Sequence, residues 1–235
     1  MNTRGQKLLL WTTPFGGLLL LVGFLYFPAM WPPLSPDMTP VEVAAFYQEH
    51  RSAMLGIVVM CNILGTVLVP VFSTTAVQMM RIVNSSKVFA VSYIAGIAMA
   101  ATAFIIADYC WGVALFRPNR NPELISLLND LGWIFFIAPV GPLVAMNVCL
   151  AAAIYLDERQ EPVFPRWVAH FNVVTALLTV PAAFAMTTKS GPLAWDGSIS
   201  FTLRLVTLAV YVVVMFFVLL GILNRQAYEE EVIAL

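Results

Sequence analysis

Long apolar runs separated by short polar segments dominate the pattern along this chain. Each run holds few or no charged residues and reaches the ~20 residues that a helix needs to cross the hydrocarbon core of a bilayer. The apolar residues are continuous and do not alternate with polar ones, as the strands of a membrane barrel would. The runs predict six transmembrane helices, at 8–28, 53–72, 88–108, 131–156, 167–186 and 203–224. We therefore predict an all-α integral membrane protein in which residues 1–235 form one six-helix bundle.

Local signals predict where two helices begin and where one is broken. Thr39, Pro40 and Glu42 form the capping-box pattern, with a threonine cap, a proline in the first turn and a glutamate three residues after the cap. The Asn-Pro-Glu segment at 121–123 repeats this pattern more weakly. Two prolines that flank a glycine in 139–142 predict a kink inside the fourth span, because proline lacks the backbone donor.

The composition excludes several classes of function. The chain is 60% hydrophobic and 11% charged, and its net charge of −1 offers no basic surface for nucleic acid. The three cysteines, Cys61, Cys110 and Cys149, are an odd number, and two of them lie inside apolar runs. A disulfide framework is therefore not predicted. No cluster of histidine, cysteine and carboxylate residues has the spacing of metal ligands, so we predict no metal and no cofactor.

The lysine and arginine distribution predicts the orientation in the membrane. With the N-terminus inside, seven basic residues lie on the inner side and five on the outer side. This bias favours cytoplasmic termini at both ends of the chain, in a bacterial plasma membrane. The first apolar run is longer than that of a signal peptide and lacks a matching cleavage site, so we expect a retained first helix.

Three charged residues lie at the ends of apolar runs, and their depth decides how they are interpreted. Asp108 lies ~31 Å along the helix after Lys87, at 1.5 Å per residue. Arg204 lies the same ~31 Å before Arg225. Asp130 is at least as far from the inner side of the membrane as Asp108 and Arg204 are. Since the hydrocarbon core is ~30 Å thick, we predict that all three lie in a shallow layer near the outer boundary. A midplane ion or proton site is therefore not predicted, and the asparagines Asn62, Asn147 and Asn172 are expected to make interhelical hydrogen bonds.

Apolar sequence continues beyond this layer, at 110–116 and 124–128. If these apolar segments project past the hydrocarbon core, other residues must pack against them to shield them from water. The 29–52 connection and the 187–202 loop contain aromatic residues that would supply it. We therefore predict a compact outer cap formed by loops and helix extensions.

Two Asp-x-x-Trp pairs make this outer layer the candidate site. Asp108 with Trp111, and Asp130 with Trp133, each place a carboxylate and an indole on one helix face. Such a pocket suits a cationic amphiphile or an oriented hydroxyl group. We predict that further ligand-binding residues come from the loops and helix ends around it, namely His50, Arg117, Trp195, Asp196 and Arg204. Alternatively, the tryptophans are interfacial anchors and the aspartates pair with arginines.

Three classes of function remain open. The first is binding or transport of a hydrophobic or amphipathic small molecule or lipid at the outer boundary. The second is an accessory subunit of a larger membrane complex, with protein partners or a homo-oligomer. The third is a membrane enzyme acting on a lipid or isoprenoid, with Asp108, Asp130 and His50 as acid–base groups, and we favour it least.

Overall fold

The chain is all-helical in the computed structural model, which describes residues 3–28, 30–65, 67–82 and 85–233, with side chains as far as residue 230. Six helical stretches in this part are long and apolar enough to span a membrane. They run over Thr3–Tyr26, Arg51–Met79, Lys87–Phe116, Pro122–Tyr155, Arg166–Met186 and Ser198–Glu230. The predicted number of spans is confirmed by length and composition. The third and fourth stretches extend well past the predicted bounds, to Phe116 and from Pro122.

Short breaks divide the described chain into nine α-helices. They are α1 (Thr3–Tyr26), α2 (Pro40–Glu49), α3 (Arg51–Leu64), α4 (Val69–Met79), α5 (Lys87–Phe116), α6 (Pro122–Ile137), α7 (Gly141–Tyr155), α8 (Arg166–Thr179) and α9 (Arg204–Ile233). A 3₁₀ segment over Val180–Met186 continues α8. A π-helical turn over Ser198–Leu203 leads into α9.

The predicted helix starts and the predicted kink are confirmed. Glu42 accepts a 2.7 Å hydrogen bond from the Thr39 backbone amide, and the Thr39 hydroxyl accepts one of 3.4 Å from the Glu42 amide. Asn121 caps α6 by accepting a 2.9 Å hydrogen bond from the Glu123 amide. The fourth span breaks between α6 and α7, where the prolines cannot continue the helical hydrogen bonds.

A second break, between α3 and α4, was not predicted. Gly65 ends α3 where a side chain would not fit, since an added Cβ would lie 2.6 Å from the Cys61 carbonyl and 2.8 Å from the Phe104 ring. Pro70 lies in the first turn of α4, where its missing amide hydrogen costs nothing. The collision with Phe104 comes from another helix, so the sequence around residue 65 does not reveal it.

The two ends of the bundle can be named by what they contain. At the terminal end, Thr3 donates a 3.3 Å hydrogen bond to Glu230, so both ends of the described chain meet there. Arg81 and Gln78 join this network, with bonds from Arg81 to Gln78 of 2.7 Å and to Gln226 of 3.0 Å. At the opposite end, which we call the α2 end, the 30–50 segment packs over the end of α5 and the start of α6.

α5 lies at the centre of the packing and contacts α3, α4, α6 and α7. Toward the terminal end, the core is closed by a 2.9 Å hydrogen bond between the buried hydroxyls of Tyr93 and Tyr211. Toward the α2 end, a second core surrounds two tryptophans and forms the candidate site described below.

The expectation of interhelical bonds from the asparagines is wrong for two of the three. Asn147 donates to the Leu143 carbonyl at 2.7 Å, and Asn172 to the Val168 carbonyl at 2.8 Å, so both bonds stay within one helix. A bond to the carbonyl four residues earlier forms with the helix itself, and it competes with any bond to a neighbouring helix. Asn62, the third, is exposed on α3.

Candidate ligand-binding site

Trp111 of α5 and Trp133 of α6 meet at the centre of the α2-end core. Their ring centroids are 4.9 Å apart, and each side chain is only 1% exposed. Phe201 meets Trp133 edge-on at 5.9 Å, and the ring of Phe136 lies within 6.0 Å of both indoles. The two tryptophans of the predicted pairs therefore come together and point into the bundle.

Gly132 makes this close approach possible. A Cβ at this position would lie 2.2 Å from the Trp111 Nε1 and 2.5 Å from its Cδ1. The indole therefore lies directly on the backbone of α6. Gly132 lies between the two residues of the second Asp-x-x-Trp pair. The space left by its missing side chain is occupied by Trp111, the tryptophan of the first pair.

Asp108 is the buried carboxyl group of the site. It is 1% exposed, and neither of its carboxylate oxygens has a hydrogen-bonding partner among the described residues. The amide of Asn62 approaches the carboxyl group without completing a hydrogen bond, and Cys61 is also near it. Leaving a buried polar group without a partner costs ~1–3 kcal/mol, and a charge costs more.

A second buried polar atom lies on the same face of α5. Trp111 Nε1 has no hydrogen-bonding partner in the described part of the chain. Because Asp108 and Trp111 are three residues apart, their side chains lie on one side of the helix. The face therefore carries two acceptor oxygens and one donor, all buried and all unpartnered.

Asp130 has different neighbours from Asp108. It is partly buried, and its Oδ1 accepts a 3.3 Å hydrogen bond from Asn129. Asn129 in turn accepts a 3.1 Å bond from the Tyr47 hydroxyl of α2, and the charge of exposed Lys189 acts on Asp130. Burial, with the nearby Asp130 charge, raises the pKa of Tyr47 well above its ordinary value, so the phenol remains the donor. The structure joins the tryptophans of the two predicted pairs but gives their aspartates separate surroundings.

Arg204 does not neutralise either aspartate. It begins α9 directly after the π-helical turn, and its Nη1 is buried with no partner among the described residues. No ion pair within 4.0 Å joins it to Asp108 or Asp130 in that part of the chain. Arg117 is exposed in the turn between α5 and α6, and among the described residues it likewise makes no ion pair within 4.0 Å with Asp108 or Asp130.

His50 and Arg51 lie where α2 meets α3. The His50 ring stacks on Phe46 at 4.3 Å, and its Nδ1 is 3.2 Å from the Phe46 carbonyl oxygen. Arg51 donates to the Leu115 carbonyl at 3.0 Å and to the Phe116 carbonyl at 3.4 Å. A cation at the last carbonyls of α5 stabilises that helix end. This role of Arg51 was not predicted, because the two segments meet only in the folded bundle.

Trp195 and Asp196 connect the last loop to the first. Trp195 is buried, and its Nε1 donates a 2.9 Å hydrogen bond to the Leu34 carbonyl. Asp196 is partly buried near Ser35. Burial raises the pKa of Asp196, and hydrogen bonds, including one from Ser35, partly offset this effect. Trp195 also belongs to the buried core around the two tryptophans, and its bond to Leu34 connects the last loop to the 30–39 segment beside that core.

The residues brought together here form a buried acidic and aromatic cluster. Among the described residues, no group of three or more histidine, cysteine, aspartate and glutamate side chains is arranged to hold a metal ion. His50 lies at the α2 end, whereas His170 lies one turn into α8, near the terminal end. Asn62 was not predicted to belong here. Its signal in the sequence, a polar residue in an apolar run, is the same as for the structural asparagines.

Comparisons with protein-family models, with curated proteins and with solved structures find no match to this chain.

Proposed function

We propose that this chain is a membrane protein that binds a small amphipathic molecule whose polar head is a cationic hydrogen-bond donor. The observation that carries this proposal is the buried Asp108 carboxyl group, for which the described residues complete no hydrogen bond on either oxygen. Ionisable residues inside membrane helices are costly, and they mark functional positions by default. A primary ammonium group offers three donors and a charge, so it would satisfy both oxygens at once.

The surroundings of Asp108 favour an organic cation. The adjacent indoles of Trp111 and Trp133, tilted by 58° to one another, with Phe136 against both, provide aromatic faces that attract a cation and pack against an alkyl chain.

Asn62 supports access from the side of the bundle. It is exposed on the lateral surface of α3, yet its amide approaches the buried Asp108 carboxyl. An amide that faces lipid is unfavourable unless it binds a polar group. A head group that passes Asn62 would reach Asp108 while its alkyl chain stays in lipid.

We also propose that the site opens toward the external side of the membrane. Asp108 lies eight residues, ~12 Å, before the end of α5 at Phe116. The whole of α5, 30 residues or ~45 Å, matches a bilayer with its head groups, so Asp108 would lie only a few ångströms inside the hydrocarbon. The greater number of basic residues at the terminal end favours a cytoplasmic position for that end.

The experiment compares three probes with the same alkyl chain: dodecylammonium, dodecyltrimethylammonium and dodecanol. The protein is placed in lipid nanodiscs, and binding is followed by quenching of tryptophan fluorescence. We expect dodecylammonium to bind most tightly, since only it combines a charge with hydrogen-bond donors. Asp108→Asn should weaken its binding about 10- to 100-fold, the value of one charge-assisted hydrogen bond.

Asp37→Asn is the matched control, because Asp37 is an exposed carboxylate at the same end of the bundle. It should leave the affinity unchanged. Asp130→Asn should have a smaller effect than Asp108→Asn, since Asp130 already accepts a hydrogen bond from Asn129. Equal affinities for the three probes, or equal effects of Asp108→Asn and Asp37→Asn, would overturn the proposal. Cross-linking of an Asn62→Cys variant to another membrane protein would favour the accessory-subunit alternative instead.

A further inference from the structure

A groove runs along the lipid-facing surface between the start of α8 and the second half of α9. Its volume is about 490 Å³. One wall is a face of α9 from Val213 to Arg225, and the other is the 163–167 segment that leads into α8. Its lining is apolar except for the guanidinium group of Arg225 and the indole nitrogen of Trp167, both near the terminal end.

The length of the groove matches one leaflet. From Val213 to Arg225 is 12 residues, or ~18 Å of helix, whereas half of the hydrocarbon core is ~15 Å. A docked transmembrane helix would need a matching surface over the full ~30 Å. An acyl chain that extends from the head-group layer to the midplane fits this length.

Arg225 is held in a fixed orientation at the head-group end. Its Nη2 donates to the Pro162 carbonyl at 2.9 Å and to the Val163 carbonyl at 3.0 Å, and its Nε is 3.9 Å from Glu229. Among the described residues its contacts come from Nη2 and Nε and none from Nη1, and the side chain is exposed. A guanidinium group held in place with a free donor is suited to a phosphate oxygen.

We propose that this groove binds a phospholipid of the leaflet at the terminal end. One acyl chain lies along α9 over Gly221, and the phosphate accepts a hydrogen bond from Arg225 Nη1. Trp167, exposed beside the groove, lies at the depth where tryptophan favours the membrane interface. This site is separate from Asp108, and it does not depend on the proposed function.

The first test fills the groove. No atom of the described residues lies within 4 Å of the position of a Cβ added at Gly221, so Gly221→Leu occupies the space of the acyl chain without disturbing the bundle. Gly17→Leu is the matched control, because Gly17 of α1 is equally open and lies away from the groove. Native mass spectrometry of purified protein counts the phosphatidylcholine molecules that stay bound. We expect Gly221→Leu to reduce this retention roughly tenfold and Gly17→Leu to leave it unchanged.

The second test measures how much the lipid phosphate contributes to binding, by comparing two lipids that differ in their head groups. Wild-type protein is exchanged into phosphatidylcholine or into diacylglycerol, which has the same chains but no phosphate. We expect phosphatidylcholine to be retained several-fold better, with the difference lost in Arg225→Lys because lysine lacks the fixed fork of donors. Circular dichroism melting verifies that the variant is folded. Equal retention by the two glycine variants, or equal retention of the two lipids by the wild type, would overturn the proposal.

Discussion

The contact between Gly132 and Trp111 gives the sharpest test of how α5 and α6 pack. In Gly132→Ala, the new methyl carbon would lie 2.2 Å from Trp111 Nε1, where an ordinary contact needs at least 3.4 Å. The ring has little room to move, because Trp133 lies 4.9 Å away, Phe136 lies 5.9 Å away, and the side chain is 1% exposed. The helices themselves would have to separate.

The magnitude follows from two opposing effects. Overpacking a buried site costs ~1–3 kcal/mol, and a clash this close with a confined ring favours the upper part of that range. Alanine is a better helix former than glycine by ~1 kcal/mol. We therefore expect Gly132→Ala to lower the free energy of unfolding by about 2 kcal/mol. Gly17→Ala, with open space around its Cβ, should leave stability unchanged or raise it by up to ~1 kcal/mol.

The assay is reversible unfolding in mixed micelles of dodecyl maltoside and sodium dodecyl sulfate, followed by far-ultraviolet circular dichroism. Near-ultraviolet circular dichroism gives an independent readout, because the paired indoles produce a signal that depends on their geometry. Gly132→Ala should change that signal, and Gly17→Ala should preserve it. Equal stability of the two variants, with the same near-ultraviolet spectrum, would show that Trp111 does not lie on the backbone of α6.

Two further predictions concern the loops and the topology. Trp195→Phe keeps an aromatic ring but removes the 2.9 Å bond to the Leu34 carbonyl, so stability should fall by ~1 kcal/mol and the 30–39 segment should be cleaved faster by added protease. Unchanged protease resistance would mean that this bond does not hold the loops together. Single cysteines at Lys189 and Arg225 should react with an impermeant thiol reagent from opposite sides of the membrane, and labelling of both from one side would contradict the six-span topology.

The sequence by itself determined the features that depend on local physics. A helix in lipid must satisfy its backbone internally and needs ~20 apolar residues, so composition alone was enough to count six spans. The cap at Thr39 and the break near Gly141 were predictable for the same reason, because capping and proline effects act within a few residues. The Asp-x-x-Trp spacing predicted that each pair lies on one face of its helix, because residues three apart are neighbours on a helix surface.

Only the tertiary structure decided which of these similar residues share an environment. Asp108 and Asp130 have the same local pattern, but Asp108 is buried without a hydrogen-bonding partner in the described part of the chain, and Asp130 accepts a hydrogen bond from Asn129. The hydrogen bonds of Arg51 to the end of α5 and the stop at Gly65 against Phe104 join segments far apart in the chain. Apolar residues cover both the core and the lipid-facing surface of a membrane bundle, so hydrophobicity does not reveal which face packs inward. Packing between helices decides it, through close contacts such as Gly132 with Trp111.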